Sequence, residues 1–95
     1  LDRAQLAGLQ LAGVNLQTAQ LVQADLQAAN LQSALLQAAT FREANLQNAK
    51  LENADLMRSN LQAANLEAAD LTGASLRGAN LRGANLRRAI LTGAD

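Results

Sequence analysis

Leucine returns at every fifth position. From Leu1 through Leu6 and Leu11 to Leu91 there are nineteen such places in unbroken register, eighteen of them Leu and the other Phe41. A second apolar series runs three residues behind the first, from Ala4, Leu9, Val14 and Ala19 to Ala94. Sixteen of its nineteen members are Ala; Leu9, Val14 and Ser59 are the exceptions. The residue between the two series is mostly Asn, Asp or Gln, as in Asn15, Asp25, Asn30, Asn45, Asp55 and Asp70. The remaining two places are small or polar. The register never breaks, so the pattern predicts one domain over residues 1–95 with no internal linker.

A period of five suits neither common element. On an α-helix each step of five turns the position by about 140°, which scatters the Leu series around the circumference and leaves no apolar stripe. The helix-forming composition (Ala, Leu, Gln, Arg and no Pro) is overridden by that spacing. A single long strand fails too, because five is odd and successive Leu side chains would point to opposite faces. The pattern works when the backbone corners once per repeat. Ala and the Leu two places later then lie on one side of a short extended stretch, and each corner turns the next pair toward the same axis. Small residues and Asn tolerate tight corners, and the glycines Gly73, Gly78, Gly83 and Gly93 recur at one corner place. Ala as the second inward residue predicts a narrow interior, where each large side chain needs a small neighbour.

The repeated Ala-(Asp/Asn)-Leu unit, seen in Ala24-Asp25-Leu26, Ala29-Asn30-Leu31, Ala64-Asn65-Leu66 and Ala79-Asn80-Leu81, resembles the pentapeptide-repeat proteins over essentially the whole chain. The resemblance implies an all-β, right-handed quadrilateral β-helix with four pentapeptides per coil, so that residues 20 apart stack. Nineteen repeats then make about 4.75 coils, roughly 23 Å at a strand spacing of ~4.8 Å. Such a stack places Phe41 between Leu21 and Leu61, and turns Ser59 inward with its hydroxyl on a backbone carbonyl. It brings Lys50 over Asp70 and Glu67 under Arg87, and aligns Asn45, Asn65 and Asn85 as an amide ladder. Leu35 and Met57 share one side on adjacent coils. At the first coil, Leu9 and Val14 fill more of the interior than Ala would. The repeat has no distinct polar cap, and the expectation is a fragment of a longer protein or ends that stack on another copy.

Composition narrows the chemistry further. Cys and His are absent, which removes disulfides, thiol nucleophiles and zinc or haem ligation. Ser59 has no base beside it in sequence. Asp25, Asp55 and Asp70 occupy one repeat position on different sides of the square and do not converge on a metal. No catalytic, cofactor-binding or metal site is expected, and no window is apolar enough for a membrane span. Phe41 is the only aromatic, so no platform exists for stacking nucleic-acid bases. Eight basic residues balance eight acidic ones. Residues 1–70 carry four basic and seven acidic side chains, whereas residues 71–95 carry Arg77, Arg82, Arg87 and Arg88 against Asp95 alone. The spacing sets Arg77, Arg82 and Arg87 on three consecutive sides, a girdle more than a patch.

The expected function is a non-enzymatic structural or protein-interaction module, a rigid spacer or docking scaffold with a protein partner. The resemblance supplies an alternative, since some family members mimic DNA and bind DNA gyrase through an acidic rod. A mimic ~23 Å long would need about 14 negative charges to match duplex DNA, and net zero opposes that reading. The Gln-rich, Leu-centred repeats are similar to those of cyanobacterial members, a likeness that specifies neither compartment nor partner.

Overall fold

The computed structural model describes all residues, Leu1–Asp95. Fourteen parallel β-bridges join residue i to residue i+20 without a slip, from Gln5–Asp25 to Asp70–Ile90. The chain is a right-handed, four-sided β-helix with one pentapeptide per side. Each side is centred on the residue between Ala and Leu, which is the bridging residue. The sides are named here by one central residue each. The Asn65 side runs Gln5, Asp25, Asn45, Asn65, Asn85, and the Asp70 side Gln10, Asn30, Lys50, Asp70, Ile90. The Asp55 side runs Asn15, Leu35, Asp55, Ser75, Asp95, and the Asn60 side Gln20, Thr40, Asn60, Asn80.

The corners are four-residue turns from Leu to Ala. In each the Ala-place N–H donates to the Leu-place carbonyl, as Ala24 does to Leu21 at 3.1 Å. The third turn residue has positive φ at all nineteen corners, between 55° and 60° where it carries a side chain and between 68° and 71° at the six glycines. That is the geometry of a type II turn. Three further bonds per repeat tie coil to coil. Arg3 N–H donates to the Val22 carbonyl at 2.8 Å, Leu6 N–H to that of Asp25 at 2.7 Å, and Asp25 N–H back to that of Ala4 at 2.9 Å. One amide per repeat, that of the residue after Leu, finds no backbone acceptor.

The turns aim both apolar series at the axis. From Leu21 to Ala74 every Leu, Ala and Phe of the two series is sealed from solvent, Phe41 included. Each buried Leu contributes about 1.5–3 kcal/mol of transfer free energy, and Ala opposite Leu keeps the interior filled without overlap. Ser59 differs from expectation. It is buried, yet its Oγ has no hydrogen-bond partner; the nearby carbonyls are already committed to the inter-coil ladder, as Ser59's own is to Asn80 N–H. Toward the ends the core opens, with Leu1 60% and Leu9 45% exposed. Leu9 therefore covers the first coil only in part, and Val14 is half-buried. The molecule measures 30 × 26 × 23 Å, a block nearly as wide as it is long.

Candidate interaction surface

Because the interior is occupied by hydrocarbon, chemistry is confined to the four sides and their corners. The central Asn and Asp residues act there through the unpaired amide left by each turn. All ten that have a residue two places on accept its backbone N–H on Oδ1, as Asn45 does from Gln47 at 3.2 Å and Asp55 from Met57 at 3.1 Å. This is the Asx-turn bond, and it supplies the acceptor that the β-helix backbone lacks. It also fixes the amide orientation, since with Oδ1 engaged Nδ2 is the group left to reach the coil below. Asn85 donates to Asn65 at 3.1 Å, Asn65 to Asn45 at 3.4 Å, and Asn45 to Asp25 at 3.4 Å. The anticipated ladder of Asn45, Asn65 and Asn85 thus forms and ends on a carboxylate.

Corner glutamines form a second set of ladders, running the opposite way. Gln17 donates to Gln37 at 2.7 Å and Gln37 to Asp55; Arg3 donates to Gln23, and Gln23 to Glu43 at 2.9 Å. Gln32 donates to Glu52 Oε1 at 2.9 Å, while Glu52 Oε2 is enclosed without a partner.

Two anticipated ion pairs resolve differently. Lys50 and Asp70 are bridged neighbours, but the Asp70 carboxylate turns to the following corner, taking the Thr72 N–H at 3.0 Å and hydroxyl at 2.6 Å. Those bonds, the hydroxyl's first, hold the Asp70 carboxyl below its ordinary pKa. Glu67 pairs with Arg88, not Arg87. Arg88 reaches it diagonally across the corner, and Arg87 contributes only its charge nearby. The Arg88 hydrogen bond is the main cause lowering the Glu67 pKa, with Arg88's charge and the Asn85 amide adding to it against some desolvation. Two wider contacts join Arg42 to Glu43 at 3.8 Å and Arg77 to Asp95 at 3.7 Å; exposed pairs of this kind are worth ~0–1 kcal/mol. Arg77, Arg82 and Arg87 occupy the same place on three consecutive repeats, a girdle around the last coil.

Asp25, Asp55 and Asp70 lie on three different sides, and no three carboxylates gather where a metal could be held. No helix is long and apolar enough to cross a membrane. Leu35, on the Asp55 side, is 39% exposed, and Met57 beside it is half-buried.

Fold and surface together define a class, the four-sided solenoids built from five-residue units. The pentapeptide-repeat family model matches in eight copies over residues 1–37, 19–58 and 59–95. The chain belongs to the pentapeptide-repeat family. No curated protein sequence matches it. Among solved structures it is similar to a pentapeptide-repeat protein from the Arabidopsis thaliana thylakoid lumen, with 32% identity over 97% of this chain and 64% of that one, and a TM-score of 0.93. A pentapeptide-repeat protein from Nostoc is 41% identical over 79% of this chain and 62% of that one, with a TM-score of 0.78. HetL, a Nostoc protein involved in heterocyst differentiation regulation, is 35% identical over 99% of this chain and 47% of its own, with a TM-score of 0.50. The chain thus spans under two thirds of the length of these relatives.

Proposed function

We propose that this β-helix is a non-catalytic interaction module, a rigid block whose flat sides present polar side chains to a protein partner. The observation that carries the reading is the side-chain order of the exterior. Asx bonds and inter-coil ladders hold the outer amides and carboxylates in register from coil to coil, so a partner meets a surface ordered before binding, which lowers the entropic cost of association. The core supports that order and takes no further part.

The gyrase-binding alternative would need an acidic side. The Asn65 side sets Asp25, Glu43 and Glu67 against Arg3 and Arg87, and the Asp55 side sets Asp55 and Asp95 against Arg77. Neither resembles the charge density of a duplex, and the purified chain is expected to leave gyrase supercoiling unchanged.

The module reading is tested by placing a photo-crosslinking residue at exposed corner positions Asn48, Gln62 or Arg87 in the full-length protein, expressed in its own cells. A partner labelled from one position, reproducibly and in competition with the unlabelled chain, supports it. Indiscriminate labelling from every position, or turnover of a small molecule abolished by one side-chain substitution, would overturn it.

A further inference from the structure

Zero net charge conceals an uneven division among the sides. Side-chain contacts show that the residue after Leu works with the side it follows: Gln37 bonds Asp55, Arg77 meets Asp95, and Thr72 bonds Asp70. By the same geometry Arg42 and Arg82 flank the Asn60 side at one corner, and Arg58, two residues before Asn60, flanks it at the other. The centre of that side is Gln20, Thr40, Asn60 and Asn80, without a charge. Its one acidic residue is Asp2, far down in the first coil, whose carboxylate accepts Val22 N–H at 2.9 Å. Over the upper three coils the Asn60 side carries three arginines and no acid. Arg58 and Arg82 have no carboxylate partner, all three are exposed, and only Arg42 shares its charge, with Glu43.

We propose that the Asn60 side docks an acidic α-helix lying along the solenoid axis. The proposal rests on the interaction-module reading and names the partner's chemistry. Arg42, Arg58 and Arg82 stand on successive coils, at heights of about 0, 4.8 and 9.6 Å for a strand spacing of ~4.8 Å. They zigzag, Arg58 on one flank and the other two on the opposite flank. Helix carboxylates at i, i+3 and i+7 rise about 0, 4.5 and 10.5 Å at 1.5 Å per residue, with the middle one offset from the line of the outer two. The two patterns match in height, and each sets its middle group off the line of the outer two. Thr40, Asn60 and Asn80 lie flat between the arginines, and Ala38 and Gly78 at the Arg58 corner keep it low. The Arg58 stem lies against Gly78, 3.4 Å from where a Cβ would stand, so the guanidinium is carried on a supported side chain. Guanidinium is suited to planar, two-point capture of carboxylate. Duplex DNA is a poorer fit, since three cations release few counterions.

The test titrates the isotope-labelled 95-residue chain with a blocked, alanine-based helical peptide bearing glutamates at i, i+3 and i+7. A second peptide of the same composition scatters the glutamates around the helix, and a third arm is a 12-base-pair DNA duplex. Amide shifts confined to the Asn60 side, weakening of about fivefold for each of Arg42→Glu, Arg58→Glu and Arg82→Glu, and loss of binding with added salt support the proposal. Arg→Gln versions of the same variants repeat the comparison should charge reversal disturb folding. No shifts, shifts centred on another side, equal binding of the scattered peptide, or tighter binding of the duplex would overturn it. Partner labelling from Asn48 or Arg87, on other corners, would still support the module reading, so the two fail separately.

Discussion

At the residue scale the fold demands an unfavourable backbone state nineteen times and meets it with glycine only six times. Thirteen residues with a Cβ accept φ near +57°, a conformation costing about 1–2 kcal/mol for an L-residue. The third turn residue of one corner shows both solutions: Ala63 at φ 57° lies directly below Gly83 at φ 68°. A Cβ on Gly83 would meet only Ala63 backbone, at 3.9 Å, so conformation and not crowding decides the exchange. Ala63→Gly is expected to stabilise by about 0.5–1 kcal/mol after the added chain entropy is subtracted, and Gly83→Ala to destabilise by about the same. Paired chemical denaturation curves check both, and two shifts of the same sign would contradict the argument. Ser59 gives a second local prediction. Its buried hydroxyl has no partner, so Ser59→Ala removes a desolvated polar group and restores the residue found elsewhere in its column, at Ala39 and Ala79. A gain of about 1 kcal/mol is expected, read as a raised unfolding midpoint; a loss would mean that the hydroxyl finds a bond in solution.

At the scale of the repeat, the spacing made the coil legible because the number five excludes both a helix stripe and a strand face. Register, core and corner glycines follow from the Leu and Ala series alone. The side-chain pairings were less legible, and the physical reason is local. A spacing of twenty puts Lys50 next to Asp70 and Glu67 next to Arg87, but Thr72, two residues on, wins the Asp70 carboxylate by offering both a hydroxyl and an amide. Nor does a vertical count reveal that Arg88, diagonally across the corner, reaches Glu67 first. The signal that could have shown the Asx bonds was the regularity of Asn and Asp at the side centre, which a polar surface alone does not require. That regularity makes a prediction at one of its exceptions, Leu35, where the Gln37 amide has no Asx acceptor and the side chain is exposed. Leu35→Asn should add the missing bond and stabilise by about 1 kcal/mol, whereas Asn65→Ala, which removes the acceptor of Glu67 N–H and a rung of the ladder, should cost about as much. Thermal unfolding of the two variants side by side checks the opposite signs.

At the scale of the molecule, backbone and core contain nothing that titrates, while the exterior is organised through carboxylates. Glu43, Glu52 and Asp55 each terminate a glutamine ladder in one coil, and Asp25 terminates the asparagine ladder. The pH dependence of folding stability falls on the two carboxyls whose pKa the fold lowers, Glu67 and Asp70. For Glu67, held down mainly by the Arg88 hydrogen bond, and Asp70, held down mainly by the Thr72 hydroxyl, the folded state binds a proton less readily than the unfolded chain. Their contribution is thus fully present above the ordinary carboxyl range and fades as pH falls through the lowered folded values. Stability is expected to be level from neutral pH to about pH 5 and to decline below about pH 4, near the ordinary glutamate and aspartate values. Both groups are half-buried and in reach of solvent, so the decline is shallow and weakens further in salt. Glu67→Gln should lower neutral-pH stability slightly, by about what acid removes from the parent through this group, and flatten the acid limb, because the glutamine still accepts from Arg88 but carries no charge and no longer titrates. Equilibrium denaturation at a series of pH values, for the parent chain and Glu67→Gln, measures the two slopes. Identical acid limbs would assign the decline to other carboxyls, and a midpoint that rises on acidification would reverse the sign of the linkage.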